Sequence, residues 1–214
     1  MTRIALDPDR RETMRAMAEP QLIHGAVEAA YEGDRERRLW RIDWIGDKCW
    51  LLIVSREKPF LQEIQRQFGF AGQPGEGQSK GYQSFLDKLA NGQYWRFRLR
   101  ANPVVSVAAK ELDVRGKVHA HVTQEQQKQW LEKRSRDYGF SLEPDNFDVV
   151  HTAWQQFSKG GRQPVTIRTA TFEGFLKVED ADLLRAGLAQ GIGRAKAYGC
   201  GLLTLMHPGE KHGG

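Results

Sequence analysis

The order of the predicted strands and helices is the feature that most constrains the fold, because one pattern occurs twice along the chain. In each half a strand is followed by a helix, two strands, a second helix and a final strand. A β-α-β-β-α-β unit closes as one antiparallel sheet covered by helices. The sequence therefore predicts an α+β fold of two tandem ferredoxin-like (RRM-like) domains, with residues 1–91 forming the first and residues 92–214 the second.

Hydrophobic periodicity and turn residues define the elements of the first half. Alternating apolar residues predict the strands, and apolar residues at helical spacing predict the helices. Pro20 interrupts the first helical stretch, because proline removes a backbone donor and clashes with the preceding turn. The predicted elements are strands 3–6, 39–44, 49–55 and 82–89, a helix that opens at 8–12 and runs to about residue 31, a helix at 59–68, and a polar loop at 69–81.

Cap and turn residues define the elements of the second half. Thr123 and Gln126 have the spacing of a capping box, and Gly139 is predicted to stop the same helix. Asp180 or Asp182 is predicted to cap the next helix, which runs to residue 189. The other predicted elements are strands 94–99, 147–156, 165–178 and 202–206, helix 123–138, a polar turn at 158–163, and a hairpin at 112–119 with its turn at Arg115 and Gly116.

Composition excludes several classes of protein. Hydrophobic residues make up 40% of the 214 and charged residues 28%, which indicates a soluble globular chain rather than a disordered one. Cys49 and Cys200 form no Cys-x-x-Cys motif, so neither a zinc site nor a disulfide framework is supported. No apolar run approaches the ~18 residues of a membrane span. We expect a cytoplasmic protein that requires no cofactor, metal or membrane, and the net charge of +5 permits a polyanionic partner.

A glycine-rich loop precedes the last predicted strand. Its four glycines and two cations place flexible backbone N–H groups beside positive charge, an arrangement that suits a phosphate chain. A glycine-rich connection with two solvated cations is the alternative. The loop enters a strand rather than a helix, so it is not a dinucleotide-binding fingerprint, and it lacks the Gly-Lys-Ser/Thr of a P-loop. Its candidate phosphate-binding residues, which the resemblance described below would make RNA-binding, are Gly191, Gly193, Arg194, Lys196, Gly199 and Gly201.

Basic residues also cluster on two other predicted loops of the second half. Lys110, Arg115 and Lys117 lie in or beside the predicted hairpin, whereas Lys159 and Arg162 lie in the polar turn. Each cluster alone is better explained by solubility than by binding, but several basic loops in one domain favour a track for RNA.

Other cations follow different patterns. Arg96, Arg98 and Arg100 alternate with apolar residues and therefore share one face of a sheet. This face is predicted to bind RNA, to form an ion-pair layer between the domains, or both. Arg37 and Arg38 are expected to be solvated surface residues.

Four segments together resemble a known family. Residues 97–103 read FRLRANP, residues 171–174 read TFEG, residues 191–203 read GIGRAKAYGCGLL, and residues 23–25, within the N-terminal helix, read IHG. These segments are similar to those of the CRISPR-associated RAMP superfamily, in particular the CasE family of repeat-RNA endoribonucleases from the type I-E (Cascade) system. The resemblance extends from the first strand to about residue 207.

The resemblance implies a catalytic residue and a reaction. The family's catalytic histidine falls at His24, a residue type that gains and loses protons near neutral pH. Gln21 replaces the family's usual tyrosine, and its amide is a possible catalytic helper. Tyr31 is a second possible helper, although it lies ~10 Å further along the helix axis. The implied reaction is metal-independent cleavage within the CRISPR repeat hairpin, which leaves a 2′,3′-cyclic phosphate or 3′-phosphate and a 5′-OH.

The resemblance also implies partners and leaves alternatives open. The family stays bound to the mature guide RNA and joins the other subunits of a type I-E surveillance complex. Because Gln21 replaces the tyrosine, a non-catalytic RNA-binding subunit is the alternative function. A metal-dependent nuclease is disfavoured, because no paired Asp/Glu cluster stands out in the sequence.

Overall fold

Two antiparallel sheets organise the chain, one from each half of the sequence. The computed structural model describes residues 1–70, 77–107, 117–157 and 164–209. The elements of the first half are β1 (Thr2–Leu6), α1 (Arg11–Ala18), α2 (Pro20–Ala29), β2 (Leu39–Ile45), β3 (Lys48–Val54), α3 (Leu61–Phe68), β4 (Gly77–Ser79) and α4 (Gln83–Leu86).

The first sheet has the strand order β2-β3-β1-β4, and every pairing in it is antiparallel. The first and third strands are therefore central, as a β-α-β-β-α-β unit requires. Ile4, Leu6 and Ile53 project from one face of the sheet and pack against Ile23 of α2 and Ile64 of α3. This apolar layer holds α2 against the sheet.

The predicted strand 82–89 is wrong, because this segment contains the short helix α4. Tyr82, Phe85 and Leu86 have helical spacing and pack against the core of the second half. The fourth strand of the first sheet is β4, which lies inside the segment predicted to be a loop and pairs with β1 at Ile4 and Gly77. Because β4 consists of Gly, Gln and Ser, it has no apolar alternation by which the sequence would reveal it.

The second sheet has the same central order. Its path is β11-β5-β10-β8, and β9 also pairs with β10 in antiparallel fashion. A separate hairpin pairs β6 (Val104–Val107) with β7 (Lys117–Ala120). The predicted hairpin at 112–119 is therefore correct only for its second strand, because the partner strand is β6, and the predicted turn at Arg115 and Gly116 lies outside the described residues. The elements of this half are β5 (Tyr94–Ala101), β6 (Val104–Val107), β7 (Lys117–Ala120), α5 (Gln124–Ser135), β8 (Phe140–Ser141), β9 (Phe147–Phe157), β10 (Val165–Val178), α6 (Ala181–Gln190) and β11 (Leu203–Met206).

The predicted α+β fold of tandem ferredoxin-like units is confirmed, and so are the local signals of the second half. Thr123 and Gln126 form both hydrogen bonds of the capping box. Gly139 ends that helix with φ 72°. The cap of α6 is Asp180, which accepts from the backbone of Asp182 and Leu183 at 3.0 Å. The division at residues 91 and 92 stays a prediction, and the polar turn at 158–163 lies outside the described residues.

A buried arginine joins the two sheets. Arg41 of β2 is 1% exposed and forms a bidentate ion pair with Asp43, whose oxygens lie 2.6–2.9 Å from its nitrogens. Its Nη1 donates to the carbonyls of Leu202 and Arg98 at 2.7 and 3.0 Å, and its Nη2 donates to Thr204 Oγ1 at 2.8 Å. One side chain of the first sheet therefore satisfies acceptors on β5, on β11 and beside β11.

The alternating arginines of β5 take part in this joint. Arg98 Nε lies 3.2 Å from Glu173 Oε1 and 3.7 Å from Asp43 Oδ1, so an ion-pair layer does connect the two sheets. The side chains of Arg96 and Arg100 form no hydrogen bond or ion pair with any residue that the structure describes. Among the described residues, no helix has the length and apolar character needed to cross a membrane.

Candidate functional site

His24 lies on α2 with its side chain at the protein surface. Pro20 occupies the first turn of α2, where its missing N–H costs no helical hydrogen bond. Ile23 and Val27 are buried against the first sheet, and His24 and Glu28, which directly follow them, lie toward the outer side of the helix. The His24 side chain is 21% exposed, which holds the imidazole in place and leaves an edge accessible to a substrate.

A charged cluster surrounds the imidazole. Glu28 lies one helical turn after His24, and its Oε1 is 3.9 Å from His24 Nδ1. Arg38 Nη1 donates to Glu28 Oε2 at 2.8 Å, and Arg35 Nε lies 3.5 Å from the same oxygen. Arg35 Nη2 is 3.2 Å from His24 Nε2. One carboxylate therefore holds two guanidinium groups beside a histidine.

The contact with Arg35 defines which ring nitrogen carries the proton. A guanidinium has only donors, so His24 Nε2 must accept in this arrangement and is unprotonated. The tautomer compatible with this contact is the neutral imidazole that carries its proton on Nδ1, on the side of Glu28. The Arg35 side chain is 74% exposed and can leave Nε2 when a substrate arrives. The resulting site offers a proton acceptor next to an exposed cation.

The two possible helpers occupy different places. Gln21 Nε2 donates to Glu19 Oε2 at 3.0 Å, in the first turn of the same helix. The Tyr31 hydroxyl donates to Ser55 Oγ at 2.7 Å, and burial raises the pKa of this phenol. The Tyr31 ring lies under the guanidinium of Arg38 at 4.3 Å. Tyr31 therefore supports the cation that holds the carboxylate.

The charged cluster contains residues that sequence reasoning missed. Arg38, expected to be solvated, is 8% exposed because it lies between the Glu28 carboxylate and an aromatic ring. Glu28 could have been identified, since it follows His24 by one helical turn. Arg35 had no sequence signal, because it reaches the site from the segment that follows α2.

The glycine loop packs against the first half of the chain. A Cβ on Gly199 would lie 2.8 Å from the ring of Trp40, and one on Gly191 would lie 2.6 Å from Leu39. All four candidate glycines have positive φ values, so close packing and backbone conformation together account for their presence. The turn at Lys196–Tyr198 contacts α2, the helix that carries the histidine.

The cations of the loop have different environments. Arg194 is exposed, and its Nη2 donates to Ser106 Oγ of the β6–β7 hairpin at 3.2 Å. Lys196 is half-buried, and burial, followed by repulsion from Arg37, lowers its pKa. Lys117 is exposed on β7. Lys110, Arg115, Lys159 and Arg162 lie outside the described residues, so their predicted contact with RNA stays a prediction.

Comparison with known proteins identifies the family. A family of CRISPR-associated proteins matches residues 1–207. The CRISPR-associated endoribonuclease Cse3 of Thermus thermophilus is 31% identical over 96% of this chain and 98% of its own. The Cascade subunit CasE of Escherichia coli is 35% identical over 51% of this chain and 56% of its own. The structure of Thermus thermophilus Cse3 bound to an RNA that represents a pre-cleavage complex covers 96% of this chain and 97% of that chain, with a TM-score of 0.74 and 28% identity.

These matches extend over both sheets and over the segment that carries His24. The chain belongs to this family of CRISPR-associated proteins, and the resemblance to CasE is confirmed.

Proposed function

We propose that this protein is an endoribonuclease that cuts precursor CRISPR RNA within the repeat hairpin. The observation that carries the proposal is the His24 imidazole, held at the surface with Nε2 as a proton acceptor beside Arg35. The full-length relative from Thermus thermophilus is an endoribonuclease of CRISPR systems, and a related structure holds an RNA before cleavage.

The proposed reaction is transfer of a phosphoryl group within the RNA. The ribose 2′-oxygen attacks the adjacent phosphorus while the bond from phosphorus to the 5′-oxygen breaks. The proton of the 2′-OH goes to a base, and the departing 5′-oxygen takes a proton from an acid. The products are a 2′,3′-cyclic phosphate, which water can open to a 3′-phosphate, and a 5′-OH. The neutral imidazole of His24 suits the base, and its protonated form suits the acid.

The neighbouring charges support this chemistry. As RNA binds, Arg35 is proposed to move from His24 Nε2 to the scissile phosphate, where a guanidinium stabilises the negative charge that develops. Glu28 then favours the protonated imidazole that forms when the histidine accepts a proton. These steps use acid–base and electrostatic catalysis by side chains, and we propose that the reaction is independent of metal ions.

The basic residues of the second half are proposed to hold the hairpin. Lys117, Arg194 and Lys196 lie on the β6–β7 hairpin and on the glycine loop. Binding of cations to the phosphate backbone makes affinity dependent on salt. We propose that the protein stays bound to the mature guide RNA in the cytoplasm and joins the other subunits of a surveillance complex, as the name of the Escherichia coli relative indicates for that protein.

The decisive experiment is cleavage of the cognate repeat hairpin in excess EDTA by the wild type and by His24→Ala. The matched control is His151→Ala, which changes an exposed histidine of β9. We expect the wild type and the control to make one cut that leaves a 5′-OH, and His24→Ala to bind the hairpin without cutting it.

Other outcomes separate the alternatives. Equal cutting by the wild type and His24→Ala would remove His24 from catalysis. Firm binding without cutting by any of the three proteins, with or without added Mg²⁺, would favour a non-catalytic RNA-binding subunit, which the replacement of the family's tyrosine by Gln21 also allows. Cutting that EDTA abolishes would contradict metal independence.

A further inference from the structure

A small pocket lies at the N-terminal end of α2. It has a volume of about 140 Å³, which is in the range of one nucleobase rather than a larger ligand. Five parts of the chain contribute to it: the α1–α2 junction, β2, β5, β9 and the glycine loop. The lining residues used below are Pro20, Trp40, Trp44, Arg100, Gln155 and Tyr198.

Two buried polar atoms in this lining have no hydrogen-bond partner. Trp40 is 2% exposed, and its Nε1–H donates to no described residue. The amide oxygen of Gln155 is likewise buried and accepts from no described residue. Leaving such groups unpaired inside a protein is unfavourable, and few occur in folded proteins. One donor and one acceptor around the same pocket therefore indicate a ligand that offers both.

The rest of the lining supplies charge and aromatic surface. The Arg100 side chain forms no ion pair or hydrogen bond with a described residue, so its guanidinium is available to an acceptor or a phosphate oxygen. Trp44 is 53% exposed, and Tyr198 contributes a second aromatic ring. Aromatic faces next to an arginine are characteristic of sites that bind the bases of single-stranded nucleic acid.

The position of the pocket relates it to the proposed cleavage site. Pro20 and His24 are four residues apart on α2, which is one helical turn, or about 6 Å along the axis. A strand whose phosphate lies at His24 therefore has a neighbouring nucleotide within reach of the pocket.

We propose that this pocket receives the base of one unpaired nucleotide next to the scissile phosphate. Trp40 Nε1 donates to an acceptor on the base, and Gln155 accepts from a base N–H. Arg100 contacts a base carbonyl or the attached phosphate. Both atoms are covered in the free protein, so side chains of the lining must turn aside before the base reaches them, and the new hydrogen bonds then replace an unfavourable unpaired state. The inference rests on the proposed function and adds a determinant of nucleotide recognition to it.

The test combines changes in the RNA with a change in the pocket. Each nucleotide around the scissile bond is replaced in turn by an abasic one, and single-turnover cleavage and affinity are measured for the wild type and Gln155→Leu. The control is Gln156→Leu, because Gln156 is exposed on the opposite face of β9. We expect one abasic position to slow the wild type, and Gln155→Leu to slow cleavage of the intact RNA, each by about tenfold. Combining the sensitive abasic position with Gln155→Leu should slow cleavage no further than either change slows it alone.

Each outcome decides the inference. If no abasic position slows cleavage by the wild type, the inference is overturned. This result is obtained with the wild type alone and so does not depend on whether a variant folds. Additive effects of Gln155→Leu and the sensitive abasic position on the cleavage rate would also overturn it. The base would then bind outside the pocket, and Trp40 and Gln155 would contribute only to packing of the fold. If the wild type binds but does not cut, the proposed activity fails, whereas a non-additive loss of affinity at one position would still support the pocket.

Discussion

Replacing Arg41 with leucine tests the joint between the two sheets. The change removes a side chain that is 1% exposed and leaves Asp43, itself 5% exposed, with only the longer ion pair to Arg98 at 3.7 Å. The carbonyls of Arg98 and Leu202 lose a donor at the same time. Breaking a buried ion pair by removing one partner costs about 3–5 kcal/mol. For a chain of this size that corresponds to a fall in Tm of about 10 °C.

The measurement is thermal and urea unfolding of the wild type, Arg41→Leu and Arg41→Leu/Asp43→Leu. The double variant should recover part of the lost stability, because no uncompensated charge remains buried. Arg66→Leu is the matched control, since it breaks an exposed ion pair with Glu63 that solvent screens. We expect the control to unfold at the same temperature and urea concentration as the wild type.

Two results would refute this reasoning. If Arg41→Leu unfolds within about 1 kcal/mol of the wild type, the buried pair does not hold the sheets together. If the double variant is less stable than Arg41→Leu, the unpaired carboxylate is not the source of the loss, and the contacts made by Asp43 itself would have to explain it.

Three further predictions concern the site and its surroundings. Glu28→Gln should slow cleavage about tenfold with unchanged RNA affinity, because it weakens the orientation and charge of the imidazole that we propose as catalytic; a matching loss of affinity would contradict this role. Gly199→Ala should lower stability by about 2–4 kcal/mol, from strain at positive φ and from the clash with a neighbouring indole, whereas Gly92→Ala, which meets open space, should cost less in the same unfolding assay. Burial raises the pKa of Cys49 and Cys200 to about 11 from 9.0. Their thiols ionise first in the unfolded chain, so stability should fall between pH 9 and 11, and the double alanine variant should lose less over that range.

Local sequence signals predicted most of the fold because they act over a few residues. The capping box at Thr123, the stop at Gly139 and the helix break at Pro20 depend on neighbouring backbone groups alone, and each lies where the sequence placed it. The apolar alternation of β5 likewise reflects one buried face. Once these strands and helices are placed along the chain, the β-α-β-β-α-β order of each half can be read directly.

The misassigned end of the first half shows where local signals fail. The strand β4 consists of glycine and polar residues and exists because β1 offers it an open edge. The sequence predicts a strand that contains Tyr82 and Phe85. Their burial depends instead on the core of the other half, against which α4 packs. Neither edge pairing nor packing across the chain leaves a periodic pattern in the residues concerned.

The candidate site divides in the same way. The sequence by itself determined the place of His24 on a helix, the glycine loop and the family to which the chain belongs, because short motifs carry that information. Only the tertiary structure brought Arg35 and Arg38 to the histidine, since charge in a sequence does not disclose its partner. It also decided that the glycines make room for Leu39 and Trp40, because contacts between residues distant along the chain arise from packing.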